Sequence, residues 1–299
     1  MKIFKYIAAA LALTAVFTSC KDREVEFPMD KVDSSKAMVQ VMYMEPVGTT
    51  AAEKIYRIEL NGKRYENNNA EILARYNGFP GGGVSIYQTV DAGTVNIKLY
   101  RAVLNEKGNT QIDETTNEMI VQLYYDKNFT IEAGKRAAVV IYDKDSDPAV
   151  VSEDYDIPTT TGVDGQADWA AVRFYNFMMD EKGQPMKGKL QVRMQDDASK
   201  EYVPVAEPVA FGEATSWFLT PVHKTVYNSG GSQRRDLDVI YFDEDGNEQG
   251  QLTFTNSKGN VTGFTDWWTL YIGRGYSWYI RGTRNDNTYP VAITQWTRR

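Results

Sequence analysis

The chain has one cysteine and one histidine in 299 residues. A lone cysteine forms no intrachain disulfide, and the pair cannot supply the several Cys or His ligands of a zinc site. A Ser–His–Asp triad would have to use His223, but Pro221-Val-His-Lys-Thr225 carries no accompanying nucleophile motif. Positive charge is also short. Lys and Arg total 33 against 40 Asp and Glu, a formal net charge of −7. That balance argues against nucleic acid, whose phosphates need clustered cations. Beyond the N-terminus no apolar run reaches the ~20 residues of a membrane-spanning helix. No amphipathic helical pattern longer than about ten residues is seen there either.

The one cysteine falls at an informative place. Lys2 and Lys5 form a positive n-region, Tyr6 to Phe17 an apolar h-region too short to span a bilayer, and Val16-Phe-Thr-Ser-Cys20 follows. This stretch resembles the bacterial lipobox. The resemblance implies a signal peptide over residues 1–19, cleavage before Cys20, acylation of Cys20 and anchoring to outer-membrane lipid. Several acyl chains hold such an anchor, since each buried CH₂ contributes roughly 0.8 kcal/mol. Lys21-Asp-Arg-Glu-Val-Glu26 resembles the acidic export signal of surface lipoproteins in Bacteroidota, which implies the cell exterior. Removing residues 1–19, with their two lysines and no acids, takes the net charge from −7 to −9.

The rest reads as strands and turns. Val39, Val41 and Tyr43 alternate with Gln40, Met42 and Met44, and Val95 to Leu104 and Ala137 to Tyr142 are rich in branched and aromatic residues. Asn61-Gly62, Asn105 to Asn109, Asp180 to Gly183, Asp243 to Asn247 and Asn256 to Asn260 are turn signals, with Gly supplying positive φ. The pattern repeats. Residues 37–44 parallel 170–177, 95–100 parallel 237–242, and 129–135 parallel 268–274, at offsets of 133, 142 and 139. The expected fold is all-β: a tether over 20–36, a β-sandwich over 37–157, a linker over 158–167 and a second β-sandwich over 168–299.

Several segments within these halves, Val90-Asp-Ala-Gly93, Ile131-Glu-Ala-Gly-Lys135, Arg173-Phe-Tyr-Asn176 and Leu270-Tyr-Ile-Gly273, resemble a family of Bacteroidota lipoproteins, the domain-of-unknown-function family numbered 4397. That resemblance implies tandem immunoglobulin-like antiparallel sandwiches with adhesion or ligand binding, and brings no catalytic residues. A weaker resemblance runs to the two-domain fimbrillins.

Chemistry-bearing motifs are few. Asp143-Lys-Asp145-Ser-Asp147 has calcium-loop spacing, but Pro148 stands where the loop needs Gly and Asp154 where it needs Glu. Phe79-Pro-Gly-Gly-Gly-Val84 runs into a strand and lacks the lysine of a phosphate loop. No catalytic residue, metal or cofactor is expected. All six tryptophans lie in the second half. Alternation places Trp268, Leu270 and Ile272 on one strand face and Trp267, Thr269 and Tyr271 on the other. The repeat sets Trp268 against Phe129, making its face the core side. Trp267 and Tyr271, joined by Tyr279 across a hairpin, are then the candidate ligand-binding residues. Alternatively the aromatics fill a bulkier core or a face covered by the other half. The reading is a non-enzymatic surface lipoprotein that adheres or binds a glycan or protein. The alternative is a structural or anchoring subunit of a fimbria-like assembly.

Growth with a labelled fatty acid should label the wild-type chain and leave a Cys20→Ser variant unlabelled and uncleaved. Equal labelling of the two would remove the lipobox reading.

Overall fold

Branched and aromatic runs set the strands. The computed structural model describes residues 34–47, 50–66, 87–153, 169–222 and 232–298. Cys20, the glycine-rich loop at 79–84, the linker at 158–167 and His223 lie outside the described residues. The first half contributes β1 (Lys36–Tyr43), β2 (Ile55–Leu60), β3 (Lys63–Glu66), β4 (Gln88–Asp91), β5 (Gly93–Ala102), β6 (Val121–Ile131), β7 (Arg136–Ile141) and β8 (Ala149–Glu153). The second begins with β9 (Trp169–Met179), β10 (Lys189–Gln195), β11 (Tyr202–Pro204), β12 (Val209–Ala210), β13 (Phe218–Pro221) and β14 (Ser232–Phe242). It continues with β15 (Glu248–Gln251), β16 (Thr253–Thr255), β17 (Val261–Gly263), β18 (Thr265–Tyr271), β19 (Gly275–Thr283) and β20 (Ala292–Arg298). Among the described residues the one helical segment is a 3-10 turn at Ala51–Glu53. The fold is all-β and built as β-sandwiches.

The turns form as their residues dictate. Asn61 and Gly62 both adopt positive φ, 49° and 78°, the geometry of a two-residue hairpin between β2 and β3. Asp243 Oδ1 accepts from the backbone N–H groups of Asp245 (3.0 Å) and Asn247 (2.8 Å), with Gly246 at φ 84°. These hydrogen bonds favour the ionised form and hold the Asp243 carboxyl below its ordinary range. Asn105, Asp180 and Asn256 cap their own loops in the same way.

The repeat seen in the sequence is carried into the topology. One sheet of the first half has the order β4-β1-β7-β8, and one sheet of the second has β13-β9-β19-β20. Each contains one parallel pair. Met38 pairs with Arg136 in the first, and Ala171 with Gly275 in the second. These positions are related by the same offsets, 133 and 139, that relate the sequence segments. The remaining sheets also correspond. β3-β2-β5-β6 in the first half matches β11-β10-β14 with β18 beside β14 in the second. The second half adds β12, β15 and the β16–β17 hairpin.

Among the described residues three cores follow from this stacking. Ala37, Val39, Val41 and Tyr43 of β1 and Ala137, Val139 and Ile141 of β7 face the β2-β5-β6 sheet. Ala170, Val172 and Phe174 of β9 face Leu190, Val192, Leu237, Val239 and Leu270. The third core lies between the halves. Met42, Met44, Ala138 and Val140 from β1 and β7 pack against Tyr175, Phe177, Tyr279 and Trp296 from β9, β19 and β20. The order of layers is outer sheet, inner sheet, inner sheet, outer sheet. Both inner sheets are therefore buried on both faces, which explains their nearly continuous apolar runs.

Aromatic rings and one carboxylate fix this middle layer. Tyr175 stacks on Tyr279 with centroids 4.2 Å apart, and Tyr142 of the first half meets Phe211 of the second edge-on at 4.9 Å. The Tyr175 hydroxyl donates to buried Glu153 at 2.9 Å, and the Tyr87 hydroxyl donates to the other oxygen. Arg136 lies 4.0 Å from the same carboxylate and 4.7 Å from the centre of the Tyr87 ring. Burial raises the Tyr175 and Tyr279 hydroxyl pKa values well above the usual range, and neighbouring acidic groups add to it. Both rings therefore stay neutral in the layer.

Tyr279→Ala should destabilise the protein by about 3–5 kcal/mol, the cost of emptying a large buried aromatic site. Equilibrium denaturant unfolding measures it. A loss below about 1 kcal/mol would mean that the halves do not depend on this contact.

Candidate functional site

The outer sheet of the second half has an inner face in the core and an outer face that reaches solvent around Arg234, Asp236 and Trp267, while Asp238 and Ile240 on that side are buried. Leu237 and Val239 of β14 are buried, and alternation turns Arg234, Asp236 and Asp238 the other way. On β10 the same logic buries Leu190, Val192 and Met194 and turns Gln191, Arg193 and Gln195 outward. β18 buries Leu270 and packs Trp268 partly into the core, leaving Trp267 51% exposed. Among the described residues Trp267 is the one exposed aromatic residue.

Register places the outer residues in rows across the strands. Trp267 pairs with Asp236, and Thr269 with Arg234. Met194 pairs with Leu237, so the next position, Gln195, stands beside Asp236, and Gln195 in turn pairs with Tyr202 of β11. Trp267, Asp236, Gln195 and Tyr202 thus form one row. Thr265, Asp238, Arg193 and Pro204 form the row beside it.

The charged groups between the aromatics are paired within the face. Arg193 binds Asp238 through two hydrogen bonds, Nε to Oδ1 at 2.8 Å and a terminal nitrogen to Oδ2 at 2.5 Å. This fork raises the guanidinium pKa further. Arg234 contacts Asp236 Oδ1 through Nε at 2.9 Å, and its guanidinium carbon lies 4.6 Å from the centre of the Trp267 ring. Tyr202 borders the same ladder. Desolvation raises its hydroxyl pKa, and Asp236 and Asp238 raise it further. Beside Trp267, burial pushes the Asp266 carboxyl above its ordinary range, although it accepts from the Trp267 N–H at 2.8 Å.

The three residues expected at the site separate. Trp267 lies on the outer face. Tyr271 is on the same strand at its far end, half-buried, with the Arg274 guanidinium 4.5 Å from its ring centre. Tyr279 is not exposed: it is fully buried between the halves, on Tyr175. The hairpin assumed between β18 and β19 is a crossover from the outer to the inner sheet, because β18 pairs with β14 and β19 with β9 and β20. Arg193, Arg234, Asp236, Asp238 and Tyr202 were missed. Arg234-Arg-Asp-Leu-Asp238 does carry a trace of them, a charged residue at each alternate position of a strand.

A recess opens between the halves. It has a volume of about 360 Å³ and is lined by Glu45, Tyr142, Asp143, Met179, Glu181 and Tyr289 among others. Its carboxylates already hold partners. Glu45 accepts from the Tyr43 and Tyr124 hydroxyls, Asp143 from Ser146, and Glu181 from Asn285. Asp143, read in the sequence as the start of a degenerate calcium loop, caps a tight turn with its carboxylate. Among the described residues no three His, Cys, Asp or Glu side chains converge as a metal site would require.

No family model and no curated protein matches the chain, so nothing adds to the resemblance to the family numbered 4397. Solved structures similar to it include a leucine-rich repeat protein from Bacteroides thetaiotaomicron, at 11% identity and TM-score 0.21. That match covers 85% of this chain but 26% of the other, so the chain spans about a quarter of that protein's length. A protein described as a candidate cell-adhesion protein from Bacteroides fragilis matches at 11% identity and TM-score 0.23, covering 88% and 98%. The tip fimbrial protein Mfa3 from Porphyromonas gingivalis matches at 10% identity and TM-score 0.20, covering 87% and 100%. Scores of this size fall short of a shared arrangement of the whole chain.

Asp238→Asn should cost about 1–3 kcal/mol, because it strips a bidentate guanidinium of its partner. Asp236→Asn, at a more exposed pair, should cost under about 1 kcal/mol. Urea unfolding of the two variants compares them. A smaller loss at position 238 than at 236 would contradict the assigned ladder.

Proposed function

We propose that the protein is a non-enzymatic, lipid-anchored cell-surface protein that binds a glycan on the outer sheet face of its second half. Cys20 supports the anchor, through its place in a lipobox-like sequence. The observation that carries the binding reading is Trp267, a half-exposed indole set in an antiparallel face and flanked by paired polar groups. Pyranose rings present C–H faces that pack on an indole, while their hydroxyls donate to carboxylates and accept from guanidinium and amide groups. The Trp267 surroundings offer each of these.

A protein ligand fits the same face less well. Protein interfaces concentrate apolar contact at their centre and deplete charge there. Here the ion pairs lie at the centre, and burying them under a protein would cost desolvation that hydrogen bonding to sugar hydroxyls offsets.

On a glycan array the wild-type chain should give positive spots that Trp267→Ala loses, with affinity falling about thirty-fold, the ~2 kcal/mol of a binding hot spot. Tyr279→Phe should leave binding unchanged, since that ring is remote from the face. Equal binding by the wild type and Trp267→Ala would sink this site. A polymerised product with no glycan signal would favour a structural subunit instead.

A further inference from the structure

We infer that the face takes an uncharged oligosaccharide lying across the strands, with Tyr202 as a second stacking platform beyond Trp267. The inference rests on the glycan-binding reading and specifies its substrate class and the direction of the chain.

Direction follows from the rows. Trp267 and Tyr202 share one row, separated by the strands β14 and β10. Three strand spacings set them about 14 Å apart. A short oligosaccharide running perpendicular to the strands can then reach both rings. Asp236 and Gln195 occupy the interval between them. Along β18 the next outward positions from Trp267 are Thr265 and Thr269, which supply no ring. Tyr271 lies two positions further on, and Thr269 is the one outward residue between it and Trp267, whereas the row across the strands places Asp236 and Gln195 between its two rings.

Substrate class follows from charge. Arg193, Arg234 and Asp236 reach the surface of the face, and each guanidinium is neutralised by a carboxylate, Arg234 by Asp236 and Arg193 by the nearly buried Asp238. Arg193 is committed to Asp238 by a two-point fork in which Asp238 is nearly fully buried. Arg234 is committed to Asp236. Glu248, on the strand beyond, acts on Arg193 as a further negative charge. An anionic sugar would have to displace a carboxylate already in place or sit beside three. A neutral sugar need displace nothing. The partly exposed Asp236 carboxylate keeps lone pairs that accept from hydroxyls, and the guanidinium edges keep N–H groups that donate to them.

Calorimetric titration of the full chain tests both parts. The neutral probes are gluco-, manno- and xylo-oligosaccharides from monomer upward, and the acidic probes are oligogalacturonates and sialyllactose. At least one neutral series should bind, with affinity rising with length and little dependence on salt. Tyr202→Ala should weaken the longer oligomers about tenfold and leave the shortest binding ligand within about twofold. Tyr202→Phe should restore the longer oligomers, which a merely structural role of the hydroxyl would not permit. A preference for the acidic probes, or full length-dependence in Tyr202→Ala alongside loss in Trp267→Ala, overturns this inference and leaves glycan binding standing. Absence of binding by every probe overturns both.

Discussion

The fold depends on the apolar layer between its two inner sheets. A β-sandwich needs one buried face per sheet, and each half already has that in its own core. Here β1 and β7 in the first half, and β9 and β19 in the second, bury their remaining face as well. The two surfaces differ in kind. One offers methionines, alanines and valines, and the other offers tyrosine, phenylalanine and tryptophan rings. Unbranched methionine adapts to the rings it meets. An interface of this apolar character opposes the relative motion that a polar interface between linked domains permits.

Rings with hydroxyl groups in such a layer must find acceptors, and Glu153 provides one. It ends β8 at the edge of the first inner sheet and receives hydroxyls from Tyr87 of its own half and Tyr175 of the other. Arg136 approaches the same carboxylate. The buried charge is thus surrounded by donors, as a carboxylate removed from water requires. Arg173 adds a hydrogen bond from the second half to the Ser152 carbonyl, at 3.2 Å. Polar contacts at the edge of the layer set its register, and rings at its centre fill it.

Much of this was legible in the sequence. The turns are local chemistry, and Asn61-Gly62 and Asp243 to Asn247 form as their residues dictate. The repeat was visible because the core positions of corresponding strands keep their type: Ala37, Val39 and Val41 against Ala170, Val172 and Phe174. The core side of β18 was legible for the same reason. The inner layer was not. Alternation in Val39-Gln-Val-Met-Tyr43 suggests one wet face, yet Gln40 and Met42 are fully buried. Arg136-Ala-Ala-Val-Val-Ile141 and Trp169-Ala-Ala-Val172 held the better signal, since continuous apolar runs belong to strands covered on both sides. The fate of Tyr279 was illegible for a different reason. Gly273-Arg-Gly275 suits a hairpin and an inter-sheet crossover equally, and distant pairing with β9 decides between them. The Arg193–Asp238 and Arg234–Asp236 pairs depend on which strands become neighbours, which local pattern does not fix.

The double-sided inner sheets bear on what each half of the repeat can be by itself. An isolated first half would expose Met42, Met44 and Val140 as one patch, and an isolated second half would expose Tyr175, Phe177, Tyr279 and Trp296. Apolar patches of that extent drive self-association. Each half of the repeat is therefore the other's permanent chaperone, covering the apolar face that it would leave in water alone.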